Sequence, residues 1–167
     1  MDIKEHFTKV IKANEGLIYK ITTLYTDGKQ DRKDLYQEIV YQLWKSFGSF
    51  SEQSKLSTWM YRVALNTAIF HLKQTKKMPD TIPFELEMDR LTDESDKAEE
   101  EKIKLLYEQI QQLNLLEKGI ILLFLEGKSH EEIAEIVGIS VSNVGTKISR
   151  IKEKLKSKIK KNADYGT

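Results

Sequence analysis

Cysteine is absent from this 167-residue chain, which excludes a disulfide framework, a thiolate metal site and a cysteine nucleophile. Proline occurs only twice, both times within residues 78–100, so nowhere else does a ring interrupt a helical pattern. Long apolar runs are missing too. The longest, residues 119–125, falls far short of the roughly 20 residues that cross a bilayer, and no charged-then-apolar leader opens the chain. No membrane insertion is expected, and the expected compartment is the cytoplasm. The three histidines, His6, His71 and His130, stand apart from one another and from paired carboxylates, and neither a glycine-rich phosphate loop nor a nucleophile elbow occurs. An enzyme, a metal site and a cofactor are therefore not expected. Excess charge of one sign is also lacking, with 27 basic against 26 acidic residues, but the balance conceals two poles. Residues 85–101 hold nine acids and two bases, a net of −7, whereas residues 147–161 hold eight bases and one acid, a net of +7. These poles predict a compact free form in which acidic surface masks basic surface.

No apolar/polar alternation of four or more residues is present, whereas helical spacing recurs along nearly the whole chain, so the fold class is all-α. Phe7, Val10, Ile11, Leu17, Ile18, Ile21 and Leu24 form an apolar stripe over about residues 2–26, ended by a turn at Asp27-Gly28. Asp31 is the expected cap of the next helix, with Leu35, Ile39, Leu43, Trp44 and Phe47 on its inner face and Gly48 at its end. After the polar stretch 49–57 a further helix is expected over about 58–76. The acidic, proline-containing stretch that follows reads as a linker. A second helical unit begins near Glu99 with Ile103, Leu106, Tyr107, Ile110 and Leu113 on one side. Asn114 with Glu117, and Ser129 with Glu132, have capping-box spacing and mark helix starts near 115 and 130, while Gly127 ends the helix between them. The architecture is thus two small helical domains, residues 1–77 and 99–161, joined by an acidic linker over 78–98 and followed by a tail, 162–167.

Within the second unit, Ile133-Ala134 followed by Val137-Gly138-Ile139-Ser140 supplies the parts of a helix-turn-helix. Ala134 admits the second helix, Gly138 takes a left-handed turn, Ile139 plugs the core and Ser140 caps the recognition helix. Val144, Ile148, Ile151, Leu155 and Ile159 then face inward. Ser142, Asn143, Thr146, Lys147, Arg150 and Lys154 supply the amide, hydroxyl and cationic groups that meet base edges and phosphates in a major groove. The competing reading is a solvated lysine-rich helix closing a bundle.

In the first unit, Asp34, Gln37, Glu38 and Tyr41 form an exposed row. Carboxylates there would repel DNA, so this face points to a protein partner that is itself basic. Arg62, Asn66 and Lys73 share a face of the next helix, and Phe50 in the adjoining polar loop is the candidate aromatic for holding an unstacked base.

The order Asp34-Leu35, Gln37-Glu38-Ile39, Leu43-Trp44, Phe47, Phe50, Leu56, Thr58-Trp59-Met60-Tyr61-Arg62-Val63-Ala64, Asn66 resembles domain two of bacterial sigma factors of the extracytoplasmic-function (ECF) class. Residues 110–155 resemble their domain four. The resemblance implies an alternative sigma factor that directs core RNA polymerase to promoters. It places Asp34, Gln37, Glu38 and Tyr41 against the clamp helices of the largest polymerase subunit. Phe50 would lie in the loop that holds a flipped base of the −10 element, with Arg62, Asn66 and Lys73 on the adjoining promoter-reading helix. Ser142, Asn143, Thr146, Lys147, Arg150 and Lys154 would lie on the −35-reading helix, whose apolar neighbours would rest on the flap of the second-largest subunit. An anti-sigma factor is implied as a further partner. One position departs from the pattern: Gly145 stands where the family commonly has a basic residue, in a helix where glycine costs about 1 kcal/mol against alanine. Two other readings stand beside this one, a self-sufficient helix-turn-helix regulator and a sigma-like adaptor that no longer initiates.

Overall fold

The structure, a computed structural model, describes residues 2–50, 55–75 and 97–165. Among these residues every regular element is a helix: α1 (Ile3–Ala13), α2 (Glu15–Tyr25), α3 (Lys29–Phe47), α4 (Leu56–Thr75), α5 (Lys97–Gln111), α6 (Leu115–Leu125), α7 (His130–Val137) and α8 (Val141–Tyr165). The expected linker lies largely outside the described residues, and with it most of the acidic pole.

The apolar stripe of residues 2–26 is two helices, broken at Asn14, whose side-chain amide turns back to donate to the carbonyl of Val10 at 2.8 Å. The expected cap at Asp31 is corrected: α3 starts earlier, with Gly28 in the capping position, and Asp31 sits in the first turn, where its charge complements the free N–H groups. Leu35, Ile39 and Leu43 are fully buried as expected, but Trp44 is 38 % exposed, because an inner stripe that includes both Leu43 and Trp44 is wider than the neighbouring helices cover. Ile103, expected on the inner side of α5, is 41 % exposed for a similar reason, the inner seal of that helix falling instead at Ile110 and Leu113.

Both capping boxes form. The Asn114 side chain accepts from the Glu117 N–H at 2.8 Å and the Ser129 hydroxyl from the Glu132 N–H at 3.1 Å, each carboxylate reaching back to the cap N–H. The backbone hydrogen bond from Ser129 holds the Glu132 carboxyl below its ordinary range. Gly127 and Gly138 both adopt positive φ, 82° and 77°, a conformation that costs a side-chain-bearing residue but not glycine. The Ser140 hydroxyl accepts from the Asn143 N–H at 3.1 Å, and Val144, Ile148, Ile151 and Leu155 seal α8 onto the body.

Helix α4 positions everything else. It packs against α2 and α3 on one side and against α6 and α7 on the other, so the two halves share a seam. The Tyr25 hydroxyl, in a fully buried side chain, donates to the carbonyl of Leu115 at 2.6 Å. Gln111 Nε2 donates to the carbonyl of Leu24 at 3.2 Å, and Lys20 pairs with Glu126 at 2.7 Å at the rim. Gly119 provides the close approach: a Cβ there would stand 3.1 Å from the Tyr25 hydroxyl and 3.4 Å from a Leu65 methyl. Lys118, only 1 % exposed, lies beside it with Nζ 3.1 Å from Gln111 Oε1 and 6.0 Å from the Tyr25 ring centroid. Burial lowers the Lys118 amine below its ordinary value, partly opposed by Asp27, while burial raises the Tyr25 hydroxyl well above its own.

Candidate promoter and polymerase interfaces

The outward row of α3 is built as expected. Asp34, Gln37 and Tyr41 are exposed and Glu38 half-exposed. The carboxylates are held in place by side-chain amides one turn away, Gln30 to Asp34 and Gln42 to Glu38, both at 3.0 Å. Lys45 stands over the Tyr41 ring at 5.5 Å. Trp44 borders this surface while its ring packs on the buried Phe7 at 5.1 Å, so the row sets ordered carboxylates beside two partly exposed aromatic rings, and such rings are among the residues from which protein interfaces draw their strongest contacts. Sequence reasoning placed Trp44 inside because a tryptophan at helical spacing with leucines reads as buried.

On α4, Arg62, Asn66 and Lys73 are all exposed on one face. Phe50 is partly buried: its ring tilts against Trp59 at 5.0 Å, extending an aromatic string that runs through Trp59, Phe47 and Phe7 to Trp44. Its ring is therefore braced by Trp59. Residues 51–54 of the same loop lie outside the described residues. The seam uses other sides of α4. Tyr61 and Leu65 are buried, and Lys128 stands 5.4 Å from the Tyr61 ring centroid. Burial and the nearby Glu126 push the Tyr61 hydroxyl up to about 12. Seam and promoter-type face thus occupy different sides of one helix. The expected masking of basic surface does not extend to Arg62, Asn66 or Lys73, which remain exposed.

On α8, Ser142, Asn143, Thr146 and Arg150 are exposed and Lys147 half-exposed. The Thr146 hydroxyl donates to the Ser142 carbonyl at 3.2 Å, leaving its oxygen lone pairs outward. Lys154 differs from its neighbours: Nζ pairs at 3.1 Å with Glu117, the carboxylate of the α6 capping box, so it leans toward α6. Lys158 leans the same way, onto Gln112 at 3.1 Å. In the first turns of α8 the outward groups are the mixed set of hydroxyl, amide and cation, whereas farther along Lys152, Lys156 and Lys160 are exposed cations. Gly145 does not face this groove side: a Cβ there would touch only the His130 ring, at 3.7 Å, an ordinary contact.

Taken together, the geometry defines a class: a two-part helical protein with a helix-turn-helix in one half, a separate exposed polar helix face in the other and an exposed acidic, aromatic row on α3. The comparisons sharpen it. Residues 10–78 match the family Sigma-70 region 2, and residues 103–155 match Sigma-70, region 4. The ECF RNA polymerase sigma-E factor of Haemophilus influenzae is 29 % identical over 168 residues, covering 93 % of this chain and 88 % of the relative. The ECF RNA polymerase sigma factor SigW of Bacillus subtilis is 25 % identical over 171 residues, covering 94 % and 90 %. Among solved structures, CnrH in complex with the cytosolic domain of CnrY aligns with a TM-score of 0.67 at 17 % identity, over 95 % of this chain and 90 % of that one. The Bartonella quintana sigma factor RpoE in complex with the anti-sigma factor NepR aligns at 0.64 and 18 %, over 95 % and 97 %. At these identities the two structural likenesses concern the fold.

The chain belongs to the sigma-70 family, in its ECF class. It is an alternative sigma factor that binds core RNA polymerase and promoter DNA and directs initiation, a non-enzymatic role. No helix among the described residues is long and apolar enough to cross a membrane.

Proposed function

We propose that Asp34, Gln37, Glu38 and Tyr41, with Trp44 beside them, dock on the clamp helices of the largest polymerase subunit. In this reading Arg62, Asn66 and Lys73 of α4, with Phe50, engage the −10 element and hold it open, and Ser142, Asn143, Thr146, Lys147 and Arg150 of α8 read the −35 element. The flap of the second-largest subunit meets the second half, an anti-sigma protein holds the factor in reserve as NepR binds RpoE, and the factor works in the cytoplasm. Domain two spans residues 1–77 and domain four 99–161.

One observation carries the mechanism: α7 packs against both α4 and α8, so a single helix spans the gap between them. Packed helix axes lie about 8–10 Å apart, so the two promoter-type helices are within roughly 20 Å of each other. The −10 and −35 elements are about 25 base pairs apart, roughly 85 Å at 3.4 Å per pair. The closed form engages one element at most. The Tyr25–Leu115 seam has to part before both are read, and binding to polymerase supplies the free energy for parting it.

The test is reconstitution. Alone, the protein leaves duplex promoters unshifted, whereas with core enzyme it opens them and yields run-off transcripts. An operator bound tightly by the isolated protein would favour the regulator reading, and core binding without transcripts the adaptor. Glu38→Lys weakens core binding by about 1–3 kcal/mol with helix content unchanged, the scale of a lost charged contact. Equal affinity in a fluorescence titration would remove α3 from the polymerase interface.

A further inference from the structure

The exposed face of α4 contains one residue that the promoter reading leaves unused. Phe70 is 61 % exposed, more than any other large apolar side chain among the described residues. It lies four residues after Asn66 and three before Lys73, so the stripe along α4 runs cation, amide, ring, cation through Arg62, Asn66, Phe70 and Lys73, all exposed. Beside the ring opens a groove of about 550 Å³ between α3 and α4, walled by Glu38, Gln42, Asn66, Phe70, His71 and Gln74, among others. That volume is within the roughly 300–1,000 Å³ typical of ligand sites.

We propose that this groove receives an unstacked base of the promoter strand, stacked on Phe70, at a position distinct from the base assigned to the loop of Phe50. The inference rests on the placement of the −10 face on α4 made above. Three features favour nucleic acid over a polymerase side chain. A benzene ring offers any base a π-face, and amides at Asn66 and Gln74, one turn before and one turn after it, can meet base edges. Lys73 lies about 4.5 Å beyond the ring along the helix and Arg62 about 12 Å before it, at 1.5 Å per residue, cations that can meet the phosphates of this and neighbouring nucleotides. The remaining wall is the Glu38 carboxylate, held by Gln42 at 3.0 Å. Its charge keeps the phosphates on the α4 side and turns the base inward, where an exocyclic amine of adenine or cytosine can donate to it.

The experiment uses holoenzyme with single-stranded non-template promoter DNA carrying 2-aminopurine at successive positions. Wild type quenches the probe at one position beyond that assigned to Phe50. Phe70→Ala removes that quenching and weakens strand binding about five- to a hundredfold, the range of one lost base stack, while its affinity for core enzyme and its circular dichroism are unchanged. Phe70→Trp restores both signals and Phe70→Leu does not. Loss of core affinity in Phe70→Ala would assign the groove to polymerase instead. An equal loss on fully paired duplex would make Phe70 a reader of paired bases, and full rescue by Phe70→Leu would make it a simple apolar contact. Each of these outcomes overturns the proposal, as does unchanged strand binding. Should wild-type holoenzyme itself fail to bind the strand, the −10 reading falls and this inference with it; should wild type bind and only the Phe70 variants behave like it, this inference falls alone.

Discussion

The two helices proposed to meet DNA are embedded in opposite ways. Helix α8 has a single buried stripe, Val144, Ile148, Ile151 and Leu155, packed on α5, α6 and α7, and the face opposite that stripe is open. Helix α4 is gripped on two sides, by α2 and α3 and by α6 and α7, and only one strip remains open to solvent. A residue on α8 can therefore be changed with local effect, whereas α4 transmits: whatever loosens the seam also alters how its promoter face is supported. The lesson is that recognition and autoinhibition share α4 but not α8, and the comparison can be broken from either side.

The largest effect is expected at the seam. Even a methyl group at Gly119 would press within 3.1 Å of the Tyr25 hydroxyl, so Gly119→Leu overpacks the contact, at a cost of about 1–3 kcal/mol. Since the closed form must open to span a promoter, that cost appears as a gain in apparent affinity for core enzyme of about five- to a hundredfold, accompanied by a lower melting temperature. Distance measurements between labels on α1 and α8 should show the separation directly. Tighter core binding without any change in label distance, or label separation without tighter binding, would each disconnect the seam from function.

On α8 the expected effects are smaller and divide by position. Asn143 lies in the first turn, its N–H capped by Ser140 and its side chain exposed, so Asn143→Ala changes which −35 bases are preferred, by about 1–3 kcal/mol per lost bidentate contact. Lys154→Ala leaves the preference unaltered and weakens all sequences slightly, because phosphate contacts carry no sequence information and this amine is already engaged by Glu117. Selection of −35 variants with each mutant holoenzyme checks both. A changed preference in Lys154→Ala with none in Asn143→Ala would reverse the orientation of α8 in the groove.

Local chemistry was legible in the sequence. A serine or asparagine three residues before a glutamate has few other uses at a helix start, and Gly138 between Val137 and Ile139 has one physical reason to be glycine, so caps, turn and inner stripe of the helix-turn-helix all form as read. The seam was not legible, because its parts are unremarkable in their own segments. Tyr25 closes an apolar stripe, Lys118 is one cation among 27 basic residues, and Gly119 sits in a helix with no turn to explain it. Their meaning depends on partners about 90 residues away, and no periodicity encodes that pairing. Trp44 misled in the reverse direction: an aromatic at helical spacing usually fills a core, and only the placement of the neighbouring helices leaves it exposed.

The smallest expected effect concerns the charge buried in that seam. Lys118 is desolvated, with one hydrogen bond to Gln111 and a ring face at 6.0 Å, less than an ammonium group loses on leaving water. Its amine consequently titrates below the ordinary 10.5. The separated state keeps its proton up to that ordinary value while the closed state releases it earlier, so the separated state binds more protons in this window. The Lys118 contribution to closed-form stability therefore rises with pH as it approaches 10.5, the opposite of the trend for a lysine that gains a carboxylate partner. The seam tyrosines act in the opposite sense: burial raises the Tyr25 and Tyr61 hydroxyls, the latter to about 12, so the separated state loses those protons first, near the ordinary 10.0, and their contribution to closed-form stability falls as pH approaches and passes that value. Lys118→Met keeps the volume and removes the charge. It should be neutral or stabilise the closed form by up to about 1 kcal/mol, raising the melting temperature by no more than roughly 2–4 °C, and remove the Lys118 part of the pH dependence below the ordinary 10.5. A variant that melts several degrees lower, with the pH trend intact, would mean that the Lys118 ammonium holds the seam together rather than straining it, and that the closed form is built to last rather than to part.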